Sequence, residues 1–254
     1  MNEPLDQEPI SVPELPVPSL LRARAIAIAE IVVCSSVPTQ VMIATLLAAF
    51  GIRPENETGL SLPFIVALSL GDTIALLVLM VLLTRAHGER PRDLWLGDRS
   101  VGREALVGLS LVPLVFVVVA GLLTGLRLVA PWLHNVAANP LEQLATGGVG
   151  EAVLLGVVAI IAGGVREELQ RAFLLQRVER HLGGRVVGVI VLSAAFGLGH
   201  VLQGWDAVVT TGVLGAFWAI VYVRRRSTVA PVVSHAGFNA LEVARVALGG
   251  PALG

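Results

Sequence analysis

The 254-residue chain contains a single cysteine and a single tyrosine, and only 15% of its residues are charged. All 18 of its basic residues are arginine, with no lysine. Each shortage excludes something. One cysteine, Cys34, leaves no disulfide framework and no cysteine metal cluster. A net charge of −1 with no basic domain argues against a nucleic-acid partner. A hydrophobic content of 55% and a mean hydropathy of +0.79 argue against a disordered chain. A soluble domain carries about 25% charged and about 45–50% apolar residues, so this chain is shifted away from that class too. The all-arginine usage fits a GC-rich genome and hence a bacterial source. What remains is an integral membrane protein, because apolar stretches of ~20 residues recur along the chain.

Residues 1–20 hold four acidic residues and five prolines. No positive segment precedes an apolar core, so the reading is a disordered cytoplasmic tail rather than a signal peptide. Seven apolar segments follow, at about 24–50, 61–84, 105–126, 151–176, 187–203, 206–223 and 229–248. Their apolar character is continuous rather than alternating, which favours helices over barrel strands. The expected fold is therefore all-α: a polytopic membrane helix bundle with about seven transmembrane helices. It divides into N-terminal transmembrane helices over 21–127, an outer loop over 128–150 and a C-terminal transmembrane region over 151–248.

Arginine placement supports that count. Arg22 and Arg24 precede the first span, and Arg85, Arg90, Arg92, Arg99 and Arg103 fill the loop after the second. Arg177, Arg180 and Arg185 follow the fourth span, and Arg224, Arg225 and Arg226 follow the sixth. The alternate connections are poor in arginine. The positive-inside rule then puts the N-terminus inside and the C-terminus outside. Trp95, Trp132 and Trp205 lie near span ends, where indoles favour the interface, and a short interfacial helix is expected around Trp132. The stretch Gly121-Leu-Leu-Thr-Gly125 is a GxxxG, read as chance in a glycine-rich membrane protein.

Ionisable groups within a bilayer cost at least ~2.5–3.5 kcal/mol each on insertion scales, so those retained at depth are functional candidates. They are Asp72, Glu167, Glu168, Arg171, His200, His235, Glu242 and Arg245, with Glu30 nearer the inner end. Counted from the inner ends of their spans, Glu167, His200 and His235 fall at depths of roughly 14, 20 and 9 Å. Three helices thus bring acid and imidazole to one layer. Glu167 and Glu168 point about 100° apart on a helix, and Arg171 lies between them at i+4 and i+3. Arginine there can hold one carboxylate ionised and leave the other free as a base toward water. His200 closes Phe196-Gly-Leu-Gly-His200, whose glycines permit a close approach. His235 and Asn239 share one helical face, and two donors aimed at one point suit a developing oxyanion. Glu242 and Arg245 read as an ion pair. Asp72 reads as a structural or supporting partner. No HExxH is present, Asp72 has no second mid-span aspartate, and Ser193 and Ser234 form no nucleophile motif.

Glu167-Glu168-Leu-Gln-Arg171, Phe196-Gly-Leu-Gly-His200 and His235-Ala-Gly-Phe-Asn239, in this order over about 150–245, resemble the motifs of the CPBP family. These are the CAAX proteases and bacteriocin-processing (Abi) proteins. In the family three residues usually separate the glutamate pair from the arginine; here there are two. Either the loss is local, or Arg171 anchors the motif, so that Glu167 takes the second glutamate position and Arg166 the first. The resemblance implies an intramembrane endopeptidase. Its catalytic residues would be Glu167 or Glu168 with His200, its oxyanion site His235 and Asn239, and its charge partner Arg171. Glu167 is the preferred base. It also implies a peptide or protein substrate in or near the bilayer, and an inner-membrane location in a bacterium. Members are often named metalloproteases, so zinc on Glu167, His200 and His235 is one option; metal-free glutamate catalysis is the favoured one. A non-catalytic scaffold or bacteriocin self-immunity protein, and a transporter, are the competing classes.

Overall fold

The architecture was obtained as a computed structural model, which describes residues 17–56, 59–136 and 140–250. The tail expected over 1–20 lies outside them up to residue 16, and helix α1 (Val17–Val33) starts at Val17. Then come α2 (Val37–Ala49), α3 (Leu62–Ala86), α4 (Pro91–Trp95), α5 (Val101–Val129), α6 (Pro140–Ala145) and α7 (Val149–Val158). A π-helical segment over Ala159–Arg166 joins α7 to α8 (Glu167–His181). The chain ends in α9 (Gly184–Leu198), α10 (Trp205–Arg225) and α11 (Val229–Ala247). The only β-structure among the described residues is a two-residue-per-strand hairpin, β1 (Glu55–Asn56) with β2 (Gly59–Leu60). The fold is thus the expected all-α polytopic bundle.

Five helical stretches among the described residues are long and apolar enough to cross a membrane: Ser19–Ala49, Leu62–Ala86, Val101–Val129, Val149–His181 and Trp205–Arg225. The fifth expected span is shorter than anticipated. Helix α9 has 15 residues, and the chain has left it by His200, which precedes a 3₁₀ turn over Val201–Gln203. The first expected span is not one continuous helix. It breaks at Cys34–Ser36, where Ser36 takes φ 71°. A break at membrane depth leaves backbone groups that lipid cannot satisfy. Here Cys34 is fully buried, and the Gln170 side-chain amide donates to its carbonyl at 2.6 Å.

The fourth span is longer than expected. The stretch Val149–His181 runs 33 residues, ~50 Å at helical rise, against a hydrocarbon core of ~30 Å. Arg177 therefore lies on α8 and not in an inner loop. It is 2% exposed, with Nε 2.6 Å from Glu30 and Nη1 3.0 Å from Glu89. Glu30 also meets His87 at 2.5 Å. Arg225 grips buried Glu104 through two bonds of 2.5 and 2.8 Å, and Arg226 pairs with Glu179. The arginines of that end therefore double as ties between helices. At the opposite end, the region around Trp132 is a single 3₁₀ turn, Pro131–Leu133, with Trp132 exposed, instead of an interfacial helix.

Helix α11 lies at the centre of the C-terminal half. It packs against α5 on one side and against the π-helical segment on the other, while α9 and α10 pair antiparallel beside α8. Close approach is licensed by glycines. A Cβ at Gly197 would come within 2.4 Å of the Val208 carbonyl on α10, and one at Gly108 within 2.6 Å of the Ala230 carbonyl on α11. By contrast, Gly121 and Gly125 have nothing within contact of an added Cβ, so the GxxxG serves no packing among the described residues.

Candidate active site

The π-helical segment ends at the residue before Glu167. Such wider turns disrupt the regular ladder and concentrate at functional sites. Here the sequence reason is Gly163-Gly164. A Cβ at Gly164 would sit 2.5 Å from the Ala236 Cβ and 2.6 Å from its Cα, and one at Gly163 would sit 2.6 Å from the Asn239 amide nitrogen. The paired glycines let α11 lie against this turn and bring His235 to Glu168 and Asn239 to the π turn. Gly164→Val forces backbone apart. Overpacking of this kind costs about 1–3 kcal/mol, so the variant is expected to lose that much stability, read as a lower midpoint of thermal unfolding in detergent.

Glu168 is the hub. It is 1% exposed and accepts from Arg171 Nε and Nη2, each at 3.1 Å. Its Oε1 also accepts from His235 Nδ1 at 2.8 Å, which joins α8 to α11. A carboxylate gripped in this bidentate fashion is an acceptor only, so His235 Nδ1 carries the proton it donates. The His235 ring stacks on Trp218 with centroids 3.8 Å apart and an interplanar angle of 13°. Trp218 donates through Nε1 to Ser234 at 3.3 Å. The imidazole is therefore fixed at one edge by Glu168 and across its face by an indole, with no hydrogen bond to Nε2 among the described residues.

Phe196 connects the second motif to the others. The Arg171 guanidinium lies 4.3 Å over its ring. Its edge meets His200 at 4.9 Å and His235 at 6.2 Å between centroids. A Cβ at Gly215 would strike Phe196 at 2.9 Å and Arg171 at 3.1 Å, so α10 must be bare there for the cluster to close. His200 Nδ1 donates to the Phe196 carbonyl at 2.9 Å. A carbonyl can only accept, which puts the proton of a neutral ring on Nδ1 and leaves Nε2 with its lone pair.

The structure thus gathers Glu168, Arg171, His235, Phe196 and His200 into one chain of contacts. Glu167 lies outside that chain. Its side chain is 18% exposed and meets Arg166 Nη2 at 3.4 Å. Asn239 donates to the Ala159 carbonyl at 3.1 Å, satisfying a backbone group of the π turn, and retains a second N–H. Glu242 and Arg245 form the expected ion pair, at 2.5 and 2.9 Å.

Zinc is a test of the donor set. The site would need Glu167, His200 and His235 to converge. Among the described residues no group of three His, Cys, Asp or Glu side chains could hold a metal ion. His235 and His200 each keep Nε2, so what the trio lacks is convergence on one point, with Glu167 turned to Arg166. The trio does not fit zinc as arranged.

Two features of the site are hard to find in the sequence. Trp218 sits within an apolar span, and its position opposite His235 has no local signature. The second is a buried polar group around Arg166. Arg166 Nη1 donates to Ser36 Oγ and Gln170 Oε1, both at 3.0 Å, and lies 3.8 Å from Asp72. Asp72 is fully buried and accepts from Thr39 and from Gln40 at 3.2 Å. Here a signal exists: an aspartate in mid-span needs a partner, and Arg166 is a cation within an apolar stretch.

Residues 149–241 match the family described as Type II CAAX prenyl endopeptidase Rce1-like. The matched stretch contains all three motifs and supports the CPBP/CAAX protease family. No curated protein and no solved structure matches the chain.

Proposed function

We propose, on the premise that residues 149–241 carry the pattern of a CAAX-type intramembrane protease, that the chain hydrolyses a peptide bond within or beside the bilayer. The observation that carries this reading is the Glu168–His235 contact, which couples the first motif to the third inside an apolar bundle.

The roles follow from which atoms are free. Arg171 and His235 occupy Glu168, so it is a poor base and a good anchor. Glu167 is the accessible carboxylate and takes a proton from water. His200, with Nε2 unprotonated in its neutral form, is the second acceptor this reading assigns to that water, the two groups closing on it only in the substrate complex. The hydroxide oxygen attacks the scissile carbonyl carbon, and the C=O pair moves onto oxygen. His235, when protonated at Nε2, donates to that oxyanion, with Glu168 balancing the imidazolium, and the second N–H of Asn239 adds a donor. Collapse of the tetrahedral adduct breaks the C–N bond, and the proton held by Glu167 passes to the departing amine. The protein works in this reading from a bacterial inner membrane, with its N-terminus on the arginine-rich, cytoplasmic side.

Purified protein in liposomes is the test, with a farnesylated peptide ending in a CAAX tetrapeptide and its unprenylated counterpart as probes. Mass spectrometry should show cleavage near the C-terminus of at least one, reduced about 100-fold or more in His200→Ala. Equal cleavage by His200→Ala, or none by the wild type, overturns the reading; the latter leaves the scaffold reading in its place.

A further inference from the structure

Buried charge outside the three motifs centres on Arg166. Its guanidinium is about nine-tenths buried and is held by three elements of the bundle: Ser36 at the break between α1 and α2, Asp72 on α3, and Gln170 on α8. Gln170 is itself tied to Ser36 Oγ at 3.0 Å and to the Cys34 carbonyl. Asp72 is held in turn by Thr39 and Gln40 of α2. Every one of these partners except Gln170 comes from residues 34–72, ahead of the matched region. Among the described residues the one contact that points the other way is Nη2 to Glu167 Oε1 at 3.4 Å.

We infer that Arg166 is a positioning residue for Glu167, and that α1–α3 serve the reaction by fixing it. This deepens the proposed function and rests on it. A planar fork is required because the two ends do different things: Nη1 is bound to the N-terminal helices, and Nη2 is presented to the carboxylate. A binding role for the substrate's own carboxylate is disfavoured by charge. Arg166 already faces two carboxylates, Asp72 at 3.8 Å and Glu167 at 3.4 Å, and a third anion would be repelled. The motif's altered spacing fits the same assignment: the residue that precedes the accessible glutamate is here a cation with its own anchorage.

Arg166→Lys separates positioning from structure. Its ammonium keeps the countercharge for Asp72, so the variant should be monodisperse in detergent with a near-wild-type unfolding temperature. A single point charge cannot hold Ser36, Gln170 and Glu167 at once. Mispositioning by about 1 Å costs up to about 100-fold, so kcat should fall about 10- to 100-fold while KM for the cleaved peptide stays within about twofold. The double variant Asp72→Asn/Arg166→Gln removes both charges and should show the same kcat loss without rescue. A purely structural role would instead reduce the amount of folded protein and leave kcat per folded molecule unchanged. If the wild type cleaves, Glu167→Gln does not, and Arg166→Lys turns over at the wild-type rate, the positioning role is wrong and the protease reading stands. If wild type and Glu167→Gln are equally inert, the protease reading falls and this inference falls with it.

Discussion

Arg171→Ala should destabilise the protein by about 3–5 kcal/mol, the usual cost of stranding one member of a buried ion pair. The reason lies in what Glu168 is left with. Its two bonds from the guanidinium vanish, and the carboxylate remains 1% exposed with His235 as its sole partner among the described residues. Phe196 loses the cation above its ring at the same time. The check is thermal or denaturant unfolding in detergent, compared with Glu168→Gln/Arg171→Met. Removing both charges together avoids the stranded ion, so the double variant should recover most of the lost stability while remaining inactive. An Arg171→Ala protein as stable as the wild type would contradict the central place given to this pair.

The second large effect is on catalysis. Glu167→Gln should lower turnover by about 10²- to 10⁴-fold, the span typical of a lost general base, with stability nearly unchanged. Amide for carboxylate keeps the size and leaves the 18%-exposed site hydrated on one side. Only the long contact to Arg166 is weakened. Glu168→Gln should behave differently, losing activity and stability together, since its carboxylate neutralises Arg171 and orients His235. Turnover and unfolding temperature measured on the same preparations distinguish the two. If Glu168→Gln folds normally and alone abolishes cleavage, while Glu167→Gln remains active, the base and the anchor are exchanged.

These two outcomes bear on how the adjacent glutamates divide their work. On a helix they point about 100° apart, which is enough to send Glu168 inward to His235 on α11 and Glu167 to Arg166. Periodicity alone anticipates that they differ. It does not say which one Arg171 holds, because the arginine is within reach of both, at i+4 and i+3. The choice is made by His235 on α11, which comes to Glu168 from 67 residues away in sequence.

The other departures share that character. Hydropathy reads Ser19–Ala49 as one span because the stretch is apolar on average, and that average carries no mark of the break. The break at Cys34–Ser36 is stable because Gln170, from α8, supplies the missing hydrogen bond. Arg177 looks like an inner-loop charge because arginines cluster there. It is buried because Glu30 and Glu89 arrive from α1 and from the chain just beyond α3. His200 keeps its place beside Phe196, but at the end of a 15-residue helix and not in mid-span.

Composition and residue order alone establish a helical membrane protein and isolate its working residues. Both conclusions follow from the cost of placing charge and unsatisfied backbone in lipid, which acts on each segment separately and so is written in each segment. The pairing of those residues is set by the packed bundle: Glu168 with Arg171 and His235, Glu167 with Arg166, and Asn239 with the π turn. Hydrogen bonds and ring contacts act over about 3–5 Å between helices distant in sequence, and no local pattern encodes which of several polar neighbours will meet.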